Sequence, residues 1–296
     1  MSSLTSALSS AVRAVPALHL PRSQRMANRR VLFVSLIVAL VALIAIVVAG
    51  RVVYDVATAT DFSQKNLSPC LDHPFGTDWM GRDMFLRTIA GLSTSVLVGL
   101  LAASVSAVAA LVLASIAALG GKRADEFVTW LVDLFMGIPH IVLLILISYA
   151  CGKGFWGVVI AVAVTHWPSL TRVLRAEILQ CRESQFVAHA HKLGASRVSI
   201  ALRHMVPYVF PQFLVGLILL FPHAIMHEAA ITFLGFGLSR DMPAIGVILS
   251  ESMAYLSAGM WWLAVFPGLA LIVTVMLFDV AGSSLRRLID PHSSQE

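Results

Sequence analysis

The sequence QFVAHAHKLGASRVSIALRHMVP, residues 185–207, is a polar stretch that lies between two long apolar stretches. Within it, Phe186, Ala190 and Leu193 recur at helical spacing, so they predict an apolar stripe along a short helix. Gly194 then supplies the residue type that commonly ends a helix at positive φ. The first half of the stretch therefore predicts a short amphipathic helix that stops at a glycine.

The second half of the stretch predicts another short helix. Ser196 is a good N-cap, and Val198, Leu202 and Met205 share one helical face after it. Pro207 marks the entry to the next apolar stretch. A pair of amphipathic helices of this kind can lie on lipid headgroups, or it can form a rigid surface on which a separate protein docks.

The composition indicates a membrane protein. Of the 296 residues, 58% are hydrophobic and only 12% are charged, whereas a soluble domain is about one quarter charged. A membrane-spanning helix needs about 20 mostly apolar residues. Six runs qualify, at residues 31–50, 92–119, 127–150, 155–174, 208–233 and 261–280. The sequence therefore predicts an all-α integral membrane protein with six transmembrane helices.

The domain organisation follows from these runs. A polar tail precedes the first helix, an extracytoplasmic segment follows it, and five further helices form a core that contains one long cytoplasmic loop. The boundaries are 1–30 for the tail, 31–50 for the first helix, 51–91 for the extracytoplasmic segment, 92–281 for the core, 182–207 for the loop and 282–296 for the C-terminal tail. The first run is too long for a signal peptide, so we expect it to remain as a span.

The basic residues predict the orientation of the chain. With both termini in the cytoplasm, fifteen of the 21 Lys and Arg residues lie on the cytoplasmic side, as the positive-inside rule requires. This bias accounts for the net charge of +5 without a nucleic-acid partner, and the expected surroundings are membrane lipid. Cys70, Cys151 and Cys181 have no metal-ligand spacing, and nothing in the sequence favours a disulfide between the first two.

The fifth predicted span contains ionisable residues. His223 and His227 are four residues apart and share one helical face, and Glu228 follows directly. Ionisable groups within a span usually face the bundle interior or a polar path. Two imidazoles at this spacing can bind Ni²⁺, Co²⁺, Cu²⁺ or Zn²⁺ transiently. They can equally be hydrogen-bonded packing histidines, and both interpretations stay open at this point.

Three further polar residues lie in the third and fourth predicted spans. Asp133 either lines the substrate path or forms a hydrogen bond that ties the third span to a neighbour. His140 and His166 lie near predicted helix kinks, and for them we expect polar contacts rather than metal ligation. No nucleophile–base pair and no complete metal-ligand set accompanies them, which argues against an intramembrane enzyme.

The chain has no nucleotide-binding loop of its own. The pattern G-x-x-x-x-G-K-[ST] is absent, since Gly121-Lys122 is followed by Arg123 and Gly152-Lys153 by another glycine. A transporter of this kind needs either an ion gradient or a partner ATPase. A gradient-driven carrier or channel therefore remains an alternative to an ATP-driven system.

The polar loop resembles a known motif. Gly194, followed by His204 and Pro207, resembles the "EAA" cytoplasmic loop of ABC import permeases. The glutamate of that motif falls at Ala188, so the triplet here reads AHA. The residues that the resemblance assigns to the ATPase-coupling loop are Phe186, Val187, Ala188, His189, Ala190, Leu193, Gly194, Ala195, Ser196, His204 and Pro207.

Other motifs extend the resemblance over most of the chain. Residues 73–87, HPFGTDWMGRDMFLR, are similar to the outer segment of the dipeptide, oligopeptide and nickel branch of these permeases. Residues 228–237 and 267–291 resemble later segments of the same branch, and Asp133 with Pro139 resembles its D-x5-P pattern. Among members of the branch, the second permease subunit of nickel or metal-chelate systems is the most similar.

The resemblance implies a fold, partners and a location. The fold would be the type I ABC importer permease (MetI-like) fold, in a heterodimer with a second permease subunit. Two ATP-binding subunits and an extracytoplasmic solute-binding protein would complete the system, in a bacterial inner membrane. The chain itself would bind no cofactor, because ATP and Mg²⁺ belong to the partner ATPase.

The resemblance also predicts a substrate. The His223 and His227 pair before an FLG segment resembles nickel-type permeases. The sequence therefore predicts import of nickel or a metal chelate by alternating access, with Glu228 and Asp133 as further residues of the path. Import of di- or oligopeptides is the alternative.

Overall fold

A computed structural model describes residues 22–194, 196–200, 203 and 205–289. Ala195 and His204 of the predicted coupling loop lie outside the described residues, as do residues 1–21 and 290–296 of the two predicted tails. Within the described part, the chain is built from helices and contains no strand beyond one isolated bridge between Thr77 and Asp83.

The described residues form eleven α-helices. They are α1 Arg22–Val52, α2 Tyr54–Thr58, α3 Met84–Leu119, α4 Lys122–Gly137, α5 His140–Ala150, α6 Gly154–Arg182, α7 Gln185–Lys192, α8 Arg197–Ile200, α9 Val206–Phe233, α10 Ile245–Leu256 and α11 Trp262–Ile289. Five of them, α1, α3, α6, α9 and α11, are long and apolar enough to cross a membrane, and α4 with α5 makes a sixth span if the pair counts as one. The prediction of an all-α membrane fold is confirmed.

Several helices extend beyond the predicted apolar runs. Helix α3 begins at Met84 rather than at residue 92, because the Asp83 carboxylate accepts a hydrogen bond from the Leu86 N–H at 2.9 Å and caps the helix there. Helix α6 continues to Arg182, while α1 begins and α11 ends inside the predicted tails. Hydropathy marks only the apolar part of a helix, and the backbone stays helical into the polar residues.

The third predicted span is broken rather than kinked. Helices α4 and α5 meet at an angle of 95°. Ile138 is extended, with φ −92° and ψ 136°, as the residue before a proline prefers. Pro139 itself lacks the N–H that a continuous helix would need. The break places His140 at the first position of α5.

Helix α3 is the central element of the bundle. It contacts α1, α4, α6, α9, α10 and α11. Its buried positions are mostly small residues, among them Gly91, Gly99, Ala103, Ala107 and Ala110. Small side chains let helix backbones approach closely in a membrane. The bundle therefore packs around a helix that has little side-chain bulk.

The loop before α3 is held by a buried network of charges. Arg87 donates to the Asp78 carboxylate at 3.0 Å and to Glu251 of α10 at 2.7 Å. Arg82 donates to the same two carboxylates, at 2.6 and 3.3 Å. Only 3% of the Arg87 side chain is exposed. The network ties the loop to α3 and α10.

Other polar residues of this loop fold it locally. His73 contacts Asp83 at 2.7 Å and Gln64 at 2.9 Å. Gly81 has φ +75°, and a Cβ there would lie 1.7 Å from the Asp61 carbonyl oxygen, so the position requires glycine. The motif at residues 73–87 is thus explained by the hydrogen bonds and close approaches of one compact loop.

Removing Arg87 should destabilise the protein. In the Arg87→Ala variant the buried Asp78 and the partly buried Glu251 lose their most buried partner, so we expect a loss of about 3 kcal/mol in unfolding free energy. Thermal unfolding of the detergent-purified protein measures the change. The matched control is Lys122→Ala, whose pair with Glu126 is 3.8 Å long and exposed. An unchanged melting temperature in Arg87→Ala would contradict a structural role for the network.

Candidate docking loop and histidine cavity

Helix α7 packs onto the bundle through Val187. The Val187 side chain is 2% exposed and belongs to the same core cluster as Ile178 and Cys181 of α6 and Val209 of α9. Ala190 packs against this cluster from the same helix. The loop is therefore attached to two long helices rather than lying free on the membrane surface.

The predicted apolar stripe of this helix is not its buried face. Phe186 is 45% exposed and Leu193 is 87% exposed, although the spacing predicted that both would share a face with Ala190. The helix is rotated so that Val187 points inward, since that position meets the groove between α6 and α9. Phe186 leans towards Tyr208, with ring centroids 6.4 Å apart. Apolar side chains are thereby presented on the outer surface of the loop.

The turn between α7 and α8 has the predicted geometry. Gly194 has φ +80°, and no atom lies within 4 Å of the position that a Cβ would take. The Ser196 hydroxyl accepts a hydrogen bond from the Ser199 N–H at 3.2 Å and caps α8. Ala188 and His189 are exposed on α7, and Pro207 lies in the first turn of α9. The predicted glycine turn between two short helices is confirmed, whereas α8 ends at Ile200 and Leu202 of the face predicted for it lies outside the described residues.

Arginines fix the end of α6 that carries this loop. Arg175 forms a two-pronged ion pair with Asp125 of α4. Arg182 donates to the Ala118 carbonyl of α3 at 2.8 Å. A displacement of the loop would therefore be transmitted to three helices at once.

Three histidines from three helices meet inside the bundle. His140 of α5, His166 of α6 and His227 of α9 have ring centroids 4.6 to 5.0 Å apart. One ring nitrogen from each lies within 4.8 Å of the others. We call these residues the histidine cluster. The sequence analysis predicted polar contacts at His140 and His166, and His166 has them, but it did not predict that the break at Pro139 brings both rings to the same point.

The hydrogen bonds of the cluster define the ring orientations. The Nδ1–H of His166 donates to the Val162 carbonyl at 2.9 Å, and the Nδ1–H of His227 donates to the His223 carbonyl at 2.8 Å. A carbonyl can only accept, so each of these nitrogens carries the proton. The lone pair of each ring is consequently on Nε2, and the Nε2 atom of His166 accepts from the His227 Nδ1–H at 3.3 Å.

The cluster borders a cavity of about 670 Å³. The cavity lies at the break between α4 and α5 and is bounded by α6 and α9, with Pro139, Ser169 and Gly216 among its lining residues. His223 is exposed and lines the same cavity, but it is not part of the cluster. Both residues of the predicted pair thus line the cavity, while the ring nitrogens that lie close together belong to His140, His166 and His227.

Two other predicted path residues lie elsewhere. Asp133 accepts a hydrogen bond from Arg172 of α6 at 2.5 Å, which confirms a tie to a neighbouring helix. Glu228 is fully buried and accepts from the Thr232 hydroxyl at 2.9 Å, and that hydroxyl accepts in turn from the Leu238 N–H. Neither residue lines the histidine cavity. Glu228 instead fixes the end of α9 to the turn that follows.

A second cavity, of about 1040 Å³, lies at the opposite end of the bundle from α7 and α8. Its lining combines both signs of charge, with Lys153, Arg240 and Asp241 beside the buried Arg87 and Glu251. The ammonium group of Lys153 lies over two aromatic rings at 5.2 and 5.3 Å from their centroids.

The three cysteines form no disulfide bond: Cys70, Cys151 and Cys181 are all free thiols.

The bundle combines membrane-spanning helices with an exposed helical loop at one end and internal cavities. This is the arrangement of a permease subunit. Residues 110–295 match the family described as "Binding-protein-dependent transport system inner membrane component". The chain belongs to this family, whose members are multi-pass permease subunits of ABC importers.

Relatives cover nearly the whole chain. A putative peptide transport system permease protein of Brucella suis is 33% identical over 274 residues, 93% of this chain and 92% of the relative. The oligopeptide transport system permease protein OppC of Bacillus subtilis is 31% identical over 89% of this chain and 86% of its own length. The dipeptide transport system permease protein DppC of the same organism is 30% identical over 77% and 72%.

If the role of Glu228 is structural, the stability of the protein should depend on the volume of this side chain and on its hydrogen-bond acceptor for Thr232 more than on its charge. Glu228→Gln keeps an oxygen for Thr232 and should melt close to wild type. Glu228→Ala leaves a cavity and an unpaired hydroxyl, so we expect a loss of about 3 kcal/mol in unfolding free energy. Thermal unfolding measures both variants, with exposed Glu126→Ala as control. Lost transport with unchanged stability in Glu228→Gln would instead indicate contact with the substrate.

Proposed function

We propose that this chain is a permease subunit that imports di- or oligopeptides with energy from partner ATPases. The observation that carries the proposal is similarity to peptide permeases along most of the chain, including relatives named for dipeptides and oligopeptides. Nickel, which the histidine spacing suggested, has no such support among these relatives. The peptide alternative therefore becomes the main proposal.

The proposed assembly follows the organisation of the family. This chain would pair with a second permease subunit, two ATP-binding subunits would bind on the cytoplasmic side, and a solute-binding protein would deliver the peptide outside. The positive-inside distribution favours placing both termini and the 182–207 loop in the cytoplasm. The exposed Phe186 and Leu193 then offer an apolar surface to the ATP-binding subunit.

The charges of the larger cavity suit a peptide. A peptide carries an amino and a carboxyl terminus, and the cavity offers the basic Lys153 and Arg240 together with the acidic Asp241. With the loop in the cytoplasm, this cavity faces the side from which the binding protein delivers its ligand. The charge network around Arg87 holds the lining of this cavity in place, because Arg87 is paired with both Asp78 and Glu251.

The 182–207 loop would act as a lever. ATP binding closes the pair of ATP-binding subunits and displaces α7. Because Val187 belongs to the core cluster that α6 and α9 share, its displacement would disturb the packing of both helices. Arg175 is paired with Asp125 of α4, and Arg182 donates to Ala118 of α3, so a movement of α6 also moves these two helices. The break at Pro139 lets α4 tilt independently of α5. The cavities then open alternately to the two sides.

Transport assays test the substrate. The complete transporter, reconstituted in liposomes with its binding protein outside and ATP inside, should accumulate a radiolabelled dipeptide or oligopeptide. Uptake should need ATP and persist when ion gradients are collapsed, which excludes a gradient-driven carrier. Radioactive Ni²⁺ serves as the competing substrate. Accumulation of Ni²⁺ without any peptide uptake would refute the peptide proposal.

The lever requires Gly194. In Gly194→Val a branched side chain is forced into φ +80°, so the turn should rearrange, and we expect peptide uptake to fall at least about ten-fold while the protein still purifies as a folded complex. The matched control is Gly259→Val, at a turn with φ +83° and equal open space that is remote from the loop. ATP hydrolysis is measured in parallel. Equal uptake in both variants would contradict the lever.

A further inference from the structure

We propose that the histidine cluster binds a divalent transition-metal ion of the Ni²⁺, Co²⁺ or Zn²⁺ type. Three imidazoles from α5, α6 and α9 place one nitrogen each within 4.8 Å of the others. Imidazole is the protein ligand that these borderline metals prefer, while Mg²⁺ and Ca²⁺ prefer oxygen. This site goes beyond the proposed peptide transport and does not rest on it, since metal binding is a property of the chain whatever it carries.

The spacing of the nitrogens is close to that of a bound ion. Nitrogens about 2.0–2.1 Å from a tetrahedral metal are about 3.3 Å from one another. The nitrogens of the cluster lie within 4.8 Å of one another, so they are further apart than around a bound ion but in the same range. Binding an ion therefore requires the three rings to move towards one another.

The second ring nitrogens support this assignment. A metal-binding histidine almost always donates its other N–H to a carbonyl, a carboxylate or water, which fixes the ring orientation. His166 donates to the Val162 carbonyl and His227 to the His223 carbonyl. Both rings therefore carry their lone pair on Nε2, and an ion would replace the His227 Nδ1–H as the partner of the His166 Nε2 atom. His223 therefore orients the His227 ring through its backbone carbonyl, and its side chain is not one of the three metal ligands.

The charge of the ion indicates what occupies the fourth position. The cluster consists of three neutral ligands and includes no carboxylate: Asp133 is paired with Arg172, and Glu228 Oε1 accepts from Thr232. An uncompensated dication within a span is costly. The cavity of about 670 Å³ beside the rings leaves room for a small anion, hydroxide or a carboxylate from a chelating ligand. Three histidines and one exchangeable ligand also form a common zinc coordination.

The alternative is a cluster that only packs. Three imidazoles can stabilise a helix junction through edge-to-face contacts without ever binding an ion. That alternative predicts no stoichiometric metal binding. It also predicts that the three histidines affect stability but not affinity for metal.

Metal titration of the complete transporter tests the proposal. The complex is purified with a tag that contains no histidine, stripped with a chelator and placed in lipid nanodiscs. Co²⁺ alone is then titrated while its visible ligand-field absorption is followed, and calorimetry with Zn²⁺ gives the affinity. We expect one tightly bound ion per copy of this chain. His140→Ala, His166→Ala and His227→Ala should each weaken that affinity at least about ten-fold.

Two control variants separate this site from other histidines. His223→Ala removes the exposed neighbour that lines the same cavity, and His189→Ala removes an exposed histidine of α7. Both should bind the metal with affinity within about two-fold of wild type. Loss of binding in His223→Ala, with binding retained in His140→Ala and His166→Ala, would overturn the three-histidine site in favour of the helical pair.

X-ray absorption on the wild type keeps the test independent of folding. The buried His166 variant could lose its structure, so the ligand count is measured without any substitution. Zinc bound to the wild-type complex should show three imidazole ligands and one oxygen ligand. A spectrum with one imidazole or none, or the absence of binding at micromolar Zn²⁺, would refute the proposal.

Discussion

The close packing of α3 is the constraint on which the rest of the bundle depends. A Cβ at Gly99 would lie 2.5 Å from the Ile225 side chain, and one at Gly91 would lie 2.9 Å from Ile248. Larger residues at either position would therefore push α9 or α10 outward. Because α6 and α9 are both seated against α3, their separation is fixed, and His166 and His227 face each other across it. The packing of apolar helices thus determines where the polar residues meet.

The break at Pro139 is the second organising feature, and it depends on the first. A continuous third span would carry His140 past the junction of α6 and α9, whereas the 95° turn places it against both rings. The same break separates α4, which is tied to the cytoplasmic end of α6 in the proposed orientation, from α5. One proline therefore serves both the cavity and the independent movement that alternating access requires.

The sequence predicted what local residues determine. Helical spans follow from apolar runs, and the glycine turn follows from Gly194 and the Ser196 cap, so both could be read without a structure. The buried face of α7 could not be predicted from the sequence. Val187 and Phe186 are adjacent apolar residues, and which of them is buried depends on the helices against which α7 packs. The histidine cluster was missed for the same reason. His166 and His227 are far apart in the chain, and the signal that could have linked them is only that each is an ionisable residue inside a span.

The central claim is that a partner ATP-binding subunit docks on the exposed side of the 182–207 loop. Site-directed cross-linking tests it directly, with a cysteine introduced at Leu193 and a photoreactive group attached to it in the assembled transporter. The account predicts a cross-link to the ATP-binding subunit from Leu193→Cys, which is 87% exposed, and none from Val187→Cys, which is 2% exposed. A transporter that remains active and gives cross-links from Leu193 only to lipid would contradict the docking claim.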